Sequence, residues 1–508
     1  MFLEATALVF GVLFCLYWYS TRNYSYWKKR RIPYEEPVPI FGNLWDSVIF
    51  KRSAGEISQD VYEKYPDEKV VGMYHFDAPV LLLRDPLLVY KVYVTDFHSF
   101  EDNSFVVDED IDPVFGRSVF FQKGEKWKKS RKMLTPAFTI GRIKMIFDRL
   151  RAVGEKLNDY IERHPEELEL KHLMTRYGTE VSASCVLGIE GHNFEVENPK
   201  MVEIGSKIFE PSFVSGIIQF IVLMMPTVSK LFSIKMVPKE VPQFFDDILR
   251  NVIEHRQKNS VSQTDIVQHW LDLKKKSEEV AKGNVQSDVV TDVLTNDDVL
   301  AGCVTFFTES YETISMTASF ALHYLALDKD LQDRLRQEVD DTLESCGGKL
   351  TYEAAIEMKL MNNIILEVLR VHPALLHALK NCTKRYEMDI GKAEPLVVEK
   401  GTVIVVPNIA LSHDPKYWED PEKFDPDRFD RMDKDEWKKG IFLPFGDGPR
   451  MCIGMRLAYA IVKVSLTYIL MKYEVVPSPR TPKKFVQDTR HFISRNRDGL
   501  WAKFVKRA

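Results

Sequence analysis

Ten consecutive residues, Phe445-Gly446-Asp447-Gly448-Pro449-Arg450-Met451-Cys452-Ile453-Gly454, constrain this chain more than any other segment. They form a turn-rich stretch that runs directly into a helical pattern beginning at Met455. A cysteine at such an entrance faces the free N–H groups and the positive end of the helix dipole, so Cys452 is expected to stay deprotonated. Gly448 and Gly454 leave out side chains where backbone must turn or approach a flat cofactor. Arg450 offers a fixed cation for a carboxylate, and Phe445 an apolar cover for the sulfur. A lone cysteine is most often an inert buried side chain. The five fixed positions Phe, Gly, Arg, Cys and Gly would match by chance in roughly one chain in ten thousand, which makes that bland reading weak.

The N-terminus is the next constraint. Ala5 to Thr21 carries no charged residue, and that length spans a bilayer. Arg22 and the Lys28-Lys29-Arg30-Arg31 cluster follow it, while only Glu4 precedes it, so the positive-inside rule keeps the body cytoplasmic. Tyr17, Trp18 and Tyr19 suit a membrane-water interface, and no small-residue cleavage site closes the run. The six cysteines, Cys15, Cys185, Cys303, Cys346, Cys382 and Cys452, contain no CxxC pair, which suits a reducing compartment. The formal net charge of −5 excludes a globally basic, nucleic-acid-coating protein.

Residues 1–21 are therefore expected to form a transmembrane anchor and 22–43, with Pro33, Pro37 and Pro39, a basic, stiff linker. Residues 44–508 show no repeat and no second boundary, and are expected to form one catalytic domain. Periods of 3.6 predict helices near Gly141–Asn158, Val241–Lys258, Asp297–Ala326, Lys329–Cys346 and Ala354–Val371. The clearest strand-like runs are Val70–Tyr74, Val80–Leu83 and Thr402–Val406, so the class is mainly α with small β-sheets. The apolar stretch Phe213–Met225 is too short to span a membrane. Core packing is expected for it, ahead of a surface dipping into the bilayer.

With these residues in view, the chain resembles the cytochrome P450 superfamily, whose signature FxxGxRxCxG the cysteine loop matches throughout. The colouring is that of insect detoxifying members of the microsomal type. The resemblance implies the cytochrome P450 fold and haem b, with Cys452 as axial ligand of the iron and Arg450 on a propionate. Trp127 and Arg131 match the family's early-helix motif and would bind the propionates. Glu367 and Arg370 match its ExxR pair, and Arg428 the third member of a structural triad. Alone, Glu367 and Arg370 would be an i,i+3 surface pair. Glu312-Thr313 is similar to the family's acid-alcohol pair, in which the alcohol would hydrogen-bond dioxygen and the acid relay protons. The alternative is a helix threonine bonded to its own backbone. Lys380 stands where an arginine usually meets a propionate, so a point charge replaces a bidentate fork. Glu309-Ser310 replaces Ala-Gly. The small Ser310 still permits a local helix distortion, whereas Glu309 either turns to polar backbone or biases the pocket toward basic nitrogenous molecules.

Pocket candidates by family position are Phe105, Val114, Phe115, Phe120, Phe209, Phe213, Leu375 and Leu376, each of which plain core packing would also explain. The activity implied is insertion of one oxygen atom from O2 into small hydrophobic organic molecules. Electrons would come from NADPH through cytochrome P450 reductase, with cytochrome b5 an optional second donor, at the endoplasmic reticulum membrane. NADPH would bind the partner, since no GxGxxG follows a strand here. The basic run Lys123–Lys132 around Trp127 is a solvated face or a docking site for an acidic reductase. Two further readings are a reductase-independent haem-thiolate isomerase or dehydratase and a haem sensor. Glu312 with Thr313 argues against the first, and an axial thiolate would be superfluous in the second.

Overall fold

The structure is a computed structural model that describes every residue except Met1, Pro211, Asp288, Lys434, Glu436, Lys438, Phe492 and Ala508. The charge-free N-terminal run is a helix, α1 (Phe2–Thr21), none of whose described residues is buried. A helix apolar on all sides has no stable place in water, and its length and composition suit a membrane span.

The body includes α2 (Gly124–Leu134), α3 (Ile140–Arg163), α4 (Leu170–Ser182), α5 (Lys200–Phe209), α6 (Phe213–Met224), α7 (Glu240–Asn259), α8 (Asn296–Leu327), α9 (Lys329–Ser345), α10 (Lys359–Val371) and α11 (Met455–Lys472), together with further helices such as Ala54–Lys64 and Ile266–Ala281. A five-stranded sheet lies beside them. It consists of β1 (Val70–His75), β2 (Ala78–Leu83), β3 (Asp102–Asn103), β4 (Ala378–Asn381) and β5 (Val403–Val406), in the order β1-β2-β5-β4-β3. The β2–β5 pair is parallel and the others antiparallel.

The centre is α8. Thr295 caps it reciprocally with Asp298, each side chain meeting the other's backbone N–H at 3.3 and 2.7 Å. From Ile314 to Ala326 only Tyr324 keeps appreciable exposure, so this half is hydrophobic core on every side. It packs on α4, α10 and α11. The helix runs unbroken through Ser310, whose hydroxyl is occupied by Phe307 O at 3.1 Å and Ser182 Oγ at 3.0 Å. The expected distortion at that position is absent.

Two other expectations change. The pattern Ala354–Val371 is not one helix: the chain breaks at Met358, between Tyr352–Glu357 and α10. The carbonyls freed there, Ala355, Ile356 and Met358, accept from the buried Lys463 ammonium at 2.8, 3.0 and 3.2 Å. A cation thus caps a helix end from inside the core. The second change concerns α6, which is not core: only Val222 is buried, and Phe213 and Val214 are 70% and 65% exposed. Its rings meet Phe50 and Phe76, and the following turn exposes Leu231 and Phe232. Ile40, Trp45 and Ile49, which follow the proline linker, are also exposed. Exposed apolar surface of this kind marks a contact with membrane or protein.

Candidate active site

The cysteine loop is a tight construction of its own. Gly446 and Gly448 both lie at positive φ, 70° and 64°, and a Cβ on Gly448 would stand 2.0 Å from Tyr93 O. Only glycine fits there. Gly454 has φ −87° and open surroundings, so no turn or protein contact requires glycine at that position. The Cys452 N–H donates to Phe445 O at 2.8 Å, which closes the loop and keeps Phe445 beside it. Phe445 packs against Tyr459 of α11.

Burial pushes the Cys452 thiol above its ordinary range, and the carboxylate of Glu309 adds to this. The backbone N–H groups of Gly454 and Met455, at the mouth of α11, and the Arg131 guanidinium pull the other way and do not win. The helix entrance therefore favours the thiolate without outweighing burial by itself. Keeping the sulfur anionic takes a cation bound to it.

Next to the loop lies a cluster of cations. Arg450 spans Glu101 O (2.5 Å), Gln122 O (2.9 Å) and Asp102 Oδ1 (3.2 Å), and its guanidinium covers the Trp127 ring at 4.1 Å. Arg131 donates to Met451 O at 2.7 Å. The Lys380 ammonium donates to Asn103 Oδ1 at 3.1 Å over the Tyr93 ring, and burial with Arg450 nearby pushes it down to about 7. Lys123 is lowered for the same reasons, burial first. Among the described residues the carboxylates that act on Lys123, Lys380 and Arg450 are Asp102 and, for Arg450, also Glu101, while Arg131 faces Cys452. Three half-buried cations and the buried Lys380 amine, beside two carboxylates, favour an anionic guest.

Across from the loop, α8 presents a stripe. Within an otherwise buried stretch, Thr305, Phe306, Glu309 and Thr313 keep accessible surface. Glu309 lies three and four residues after Phe306 and Thr305, and Thr313 four after Glu309, so the stripe follows one helix face. Glu309 has open surface yet lies deep in the protein, and burial alone raises its carboxyl to about 7. These two facts agree only if its surface borders an interior space, and its charge is felt at Cys452 across that space. The Thr313 hydroxyl donates to Glu309 O at 2.6 Å. Phe306 stacks on Phe138, the ring nearest Gly454.

The acid-alcohol pair of the sequence reading is separated. Glu312 is buried on the other side of α8 and paired with Lys171 of α4 at 2.9 Å, because adjacent helical residues point about 100° apart. Glu367, Arg370 and Arg428 form a closed ion-pair triad, each at most 3% exposed.

A cytochrome P450 family model matches residues 32–501. The chain belongs to the cytochrome P450 family. It is 34% identical to cytochrome P450 9e2 of Blattella germanica, over 95% of this chain and 94% of that one. It is 31% identical to cytochrome P450 6j1 of the same organism, over 98% and 97%. With cytochrome P450 6B1 of Papilio polyxenes it shares 31% identity over 99% of each. As a P450 it is a haem-thiolate monooxygenase with haem b, and it uses O2, an organic substrate and a redox partner.

The residues present fit haem. A dianionic macrocycle edge matches the surplus of cations at Arg450, Arg131, Lys123 and Lys380, and a metal supplies the cation that Cys452 requires. Among the described residues the indole N–H of Trp127 has no hydrogen-bond partner, so it remains a donor for the same edge.

The pocket candidates divide. Phe105 and Phe120 are half-buried and stacked at 6.2 Å, and keep surface for a ligand. Val114 and Phe115 are each 6% exposed and belong to the core against α8. Phe209 stacks on Tyr311, on the side of α8 away from Glu309, and Phe213 lies on the outer surface; both leave the list. Leu376 is buried against Gly55, and Leu375 is tied to Ile493. Residues missed from sequence are Phe306 and Thr305, which the i−3 and i−4 spacing from Glu309 could have named, and Lys123 with Asp102, for which no local signal exists.

Proposed function

We propose that this P450 oxidises small lipophilic molecules at the endoplasmic reticulum membrane, with electrons from NADPH delivered by cytochrome P450 reductase and cytochrome b5 as auxiliary donor. The observation that carries the reading is the facing arrangement of the Cys452 loop and the α8 stripe, with the cationic cluster at one side. Haem, when bound, supplies the two-electron activation of dioxygen that oxygen insertion needs. Cys452 would hold its iron, steadied by the Gly454 and Met455 N–H groups. Arg450, Arg131, Trp127 and Lys380 would hold its carboxylates. Thr313, by letting go of Glu309 O, would hold a proton donor on the α8 side of the site. Phe306, Phe105 and Phe120 would give the substrate an apolar wall.

The membrane reading draws on α1 and on the exposed apolar surface of α6 and its neighbours. The docking reading draws on α2, where Lys126, Lys128 and Lys129 are exposed beside the loop that Arg131 touches. Those lysines pair with Glu109, Glu125 and Asp292, so the patch is weaker than its sequence suggests and would steer encounter more than hold a complex. The test is reconstitution in phospholipid vesicles with the reductase, measuring NADPH consumption and 18O incorporation from O2 into neutral lipophilic compounds. Reductase-dependent 18O product is expected; conversion of a peroxide substrate with no need of reductase would refute the reading.

A further inference from the structure

Buried carboxylates in this fold are provided with partners. Glu312 has Lys171, Glu367 has Arg370 and Arg428, Asp265 has Arg256, and Glu180 has Lys156 and Asn193. Glu309 is the exception. Among the described residues its side chain takes part in no hydrogen bond and no ion pair, and it keeps open surface although protein surrounds it closely. Among the described residues no cation acts on it: burial is the cause of its raised pKa, and its charge is felt at Cys452. Its position on the α8 stripe, between Phe306 one turn before and Thr313 one turn after, aims it into the interior space opposite the cysteine loop.

An isolated carboxylate in a water-poor space is costly unless a partner arrives with the ligand. The partner must carry positive charge, and an aromatic ring one turn away suits the same charge, because its face is electron-rich. We infer that Glu309 is the counter-ion for a cationic substrate, so that the site selects organic ammonium compounds with an apolar body. This rests on the monooxygenase reading above and names its substrate class. A cation beside Glu309 would also hold the carboxyl ionised at neutral pH, which lets pairing and binding reinforce each other.

The test uses the haem-loaded full chain and two probes: an aryl-alkyl trimethylammonium ion and its tert-butyl carbon isostere. The quaternary nitrogen can neither lose a proton nor coordinate iron, so charge is the one difference between the probes. Calorimetric dissociation constants are measured for the parent, Glu309→Gln and Glu309→Asp. The parent should prefer the ammonium ion by on the order of tenfold or more, equivalent to about 1.4 kcal/mol. Glu309→Gln should lose that preference while the isostere changes less than twofold, and Glu309→Asp should keep part of it. No preference in the parent overturns the inference without any variant, and equal weakening of both probes by Glu309→Gln overturns it as well. Reductase-dependent oxidation of the tert-butyl probe, measured on the same preparations, judges the monooxygenase reading separately. Oxidation without charge preference sinks only the inference, and absence of oxidation with a preserved preference sinks only the reading beneath it.

Discussion

Glu367→Gln removes one charge and almost no volume, yet it should be among the most damaging single changes in the chain. The carboxylate receives two bonds from Arg370 at 2.8 and 2.9 Å, one from Arg428 at 3.0 Å and one from the Asp425 N–H at 2.9 Å. The remaining guanidinium N–H groups reach the carbonyls of Ser412, Glu419 and Lys423 at 2.9, 2.8 and 3.0 Å, so both arginines stay locked in place. Glutamine would leave two buried cations side by side with no anion between them. Breaking a buried pair in this way costs about 3–5 kcal/mol. Arg428→Lys keeps the charge but loses the fork, and with it contacts worth about 1–3 kcal/mol. The assay is urea unfolding of the haem-loaded protein followed by tryptophan fluorescence, since Arg370 lies over the Trp418 ring at 5.4 Å. The haem dissociation rate is followed in parallel. Glu367→Gln should fall well below Arg428→Lys in both. A Glu367→Gln protein within 1 kcal/mol of the parent would refute the view that charge, and not shape, closes this triad.

Gly448→Ala places a methyl 2.0 Å from Tyr93 O at a left-handed φ, and should cost about 3 kcal/mol and most of the haem occupancy, read from absorbance at the Soret band. His377 is buried, bonded to Ser58 at 2.9 Å and pushed by burial down to about 4. The unfolded chain therefore binds its proton first as pH falls below about 6.5, so stability is present above that pH and lost below it, by about 1.4 kcal/mol between pH 7.5 and 5.5. His377→Gln should remove that part of the slope in urea titrations at the two pH values; an unchanged slope would clear His377. Replacing Phe213, Leu231 and Phe232 by serine should weaken vesicle binding of a chain lacking residues 1–21 while leaving unfolding free energy within about 0.5 kcal/mol, because these side chains are mostly exposed. Thr313→Val should raise hydrogen peroxide release per NADPH consumed, with the substrate dissociation constant unchanged, since only a hydroxyl is lost from the α8 face.

What was legible in the sequence followed from locality. The cysteine loop could be read because its turn glycines, its closing N–H and the helix behind it lie within about a dozen residues, and so could the ends of α8, where hydrophobic period and the Thr295 cap agree. The break at Met358 could not, because no Gly or Pro marks it and its cause, Lys463, is more than a hundred residues away. The surface placement of α6 could not either, since a helix apolar on every side reads the same in a core as against lipid. The acid beside the alcohol shows the limit most clearly. Adjacency in sequence pairs Glu312 with Thr313, but a helix turns about 100° per residue, so neighbours in sequence face different partners. The residue sharing a face with Thr313 is the one four positions earlier. That residue is Glu309, whose backbone oxygen already accepts the Thr313 hydroxyl, while Glu312 turns to Lys171. The acid on the Thr313 face of α8 is therefore the one at the position where this chain departs from the family's usual alanine, and the acid matching the family pattern is taken up by an ion pair between helices.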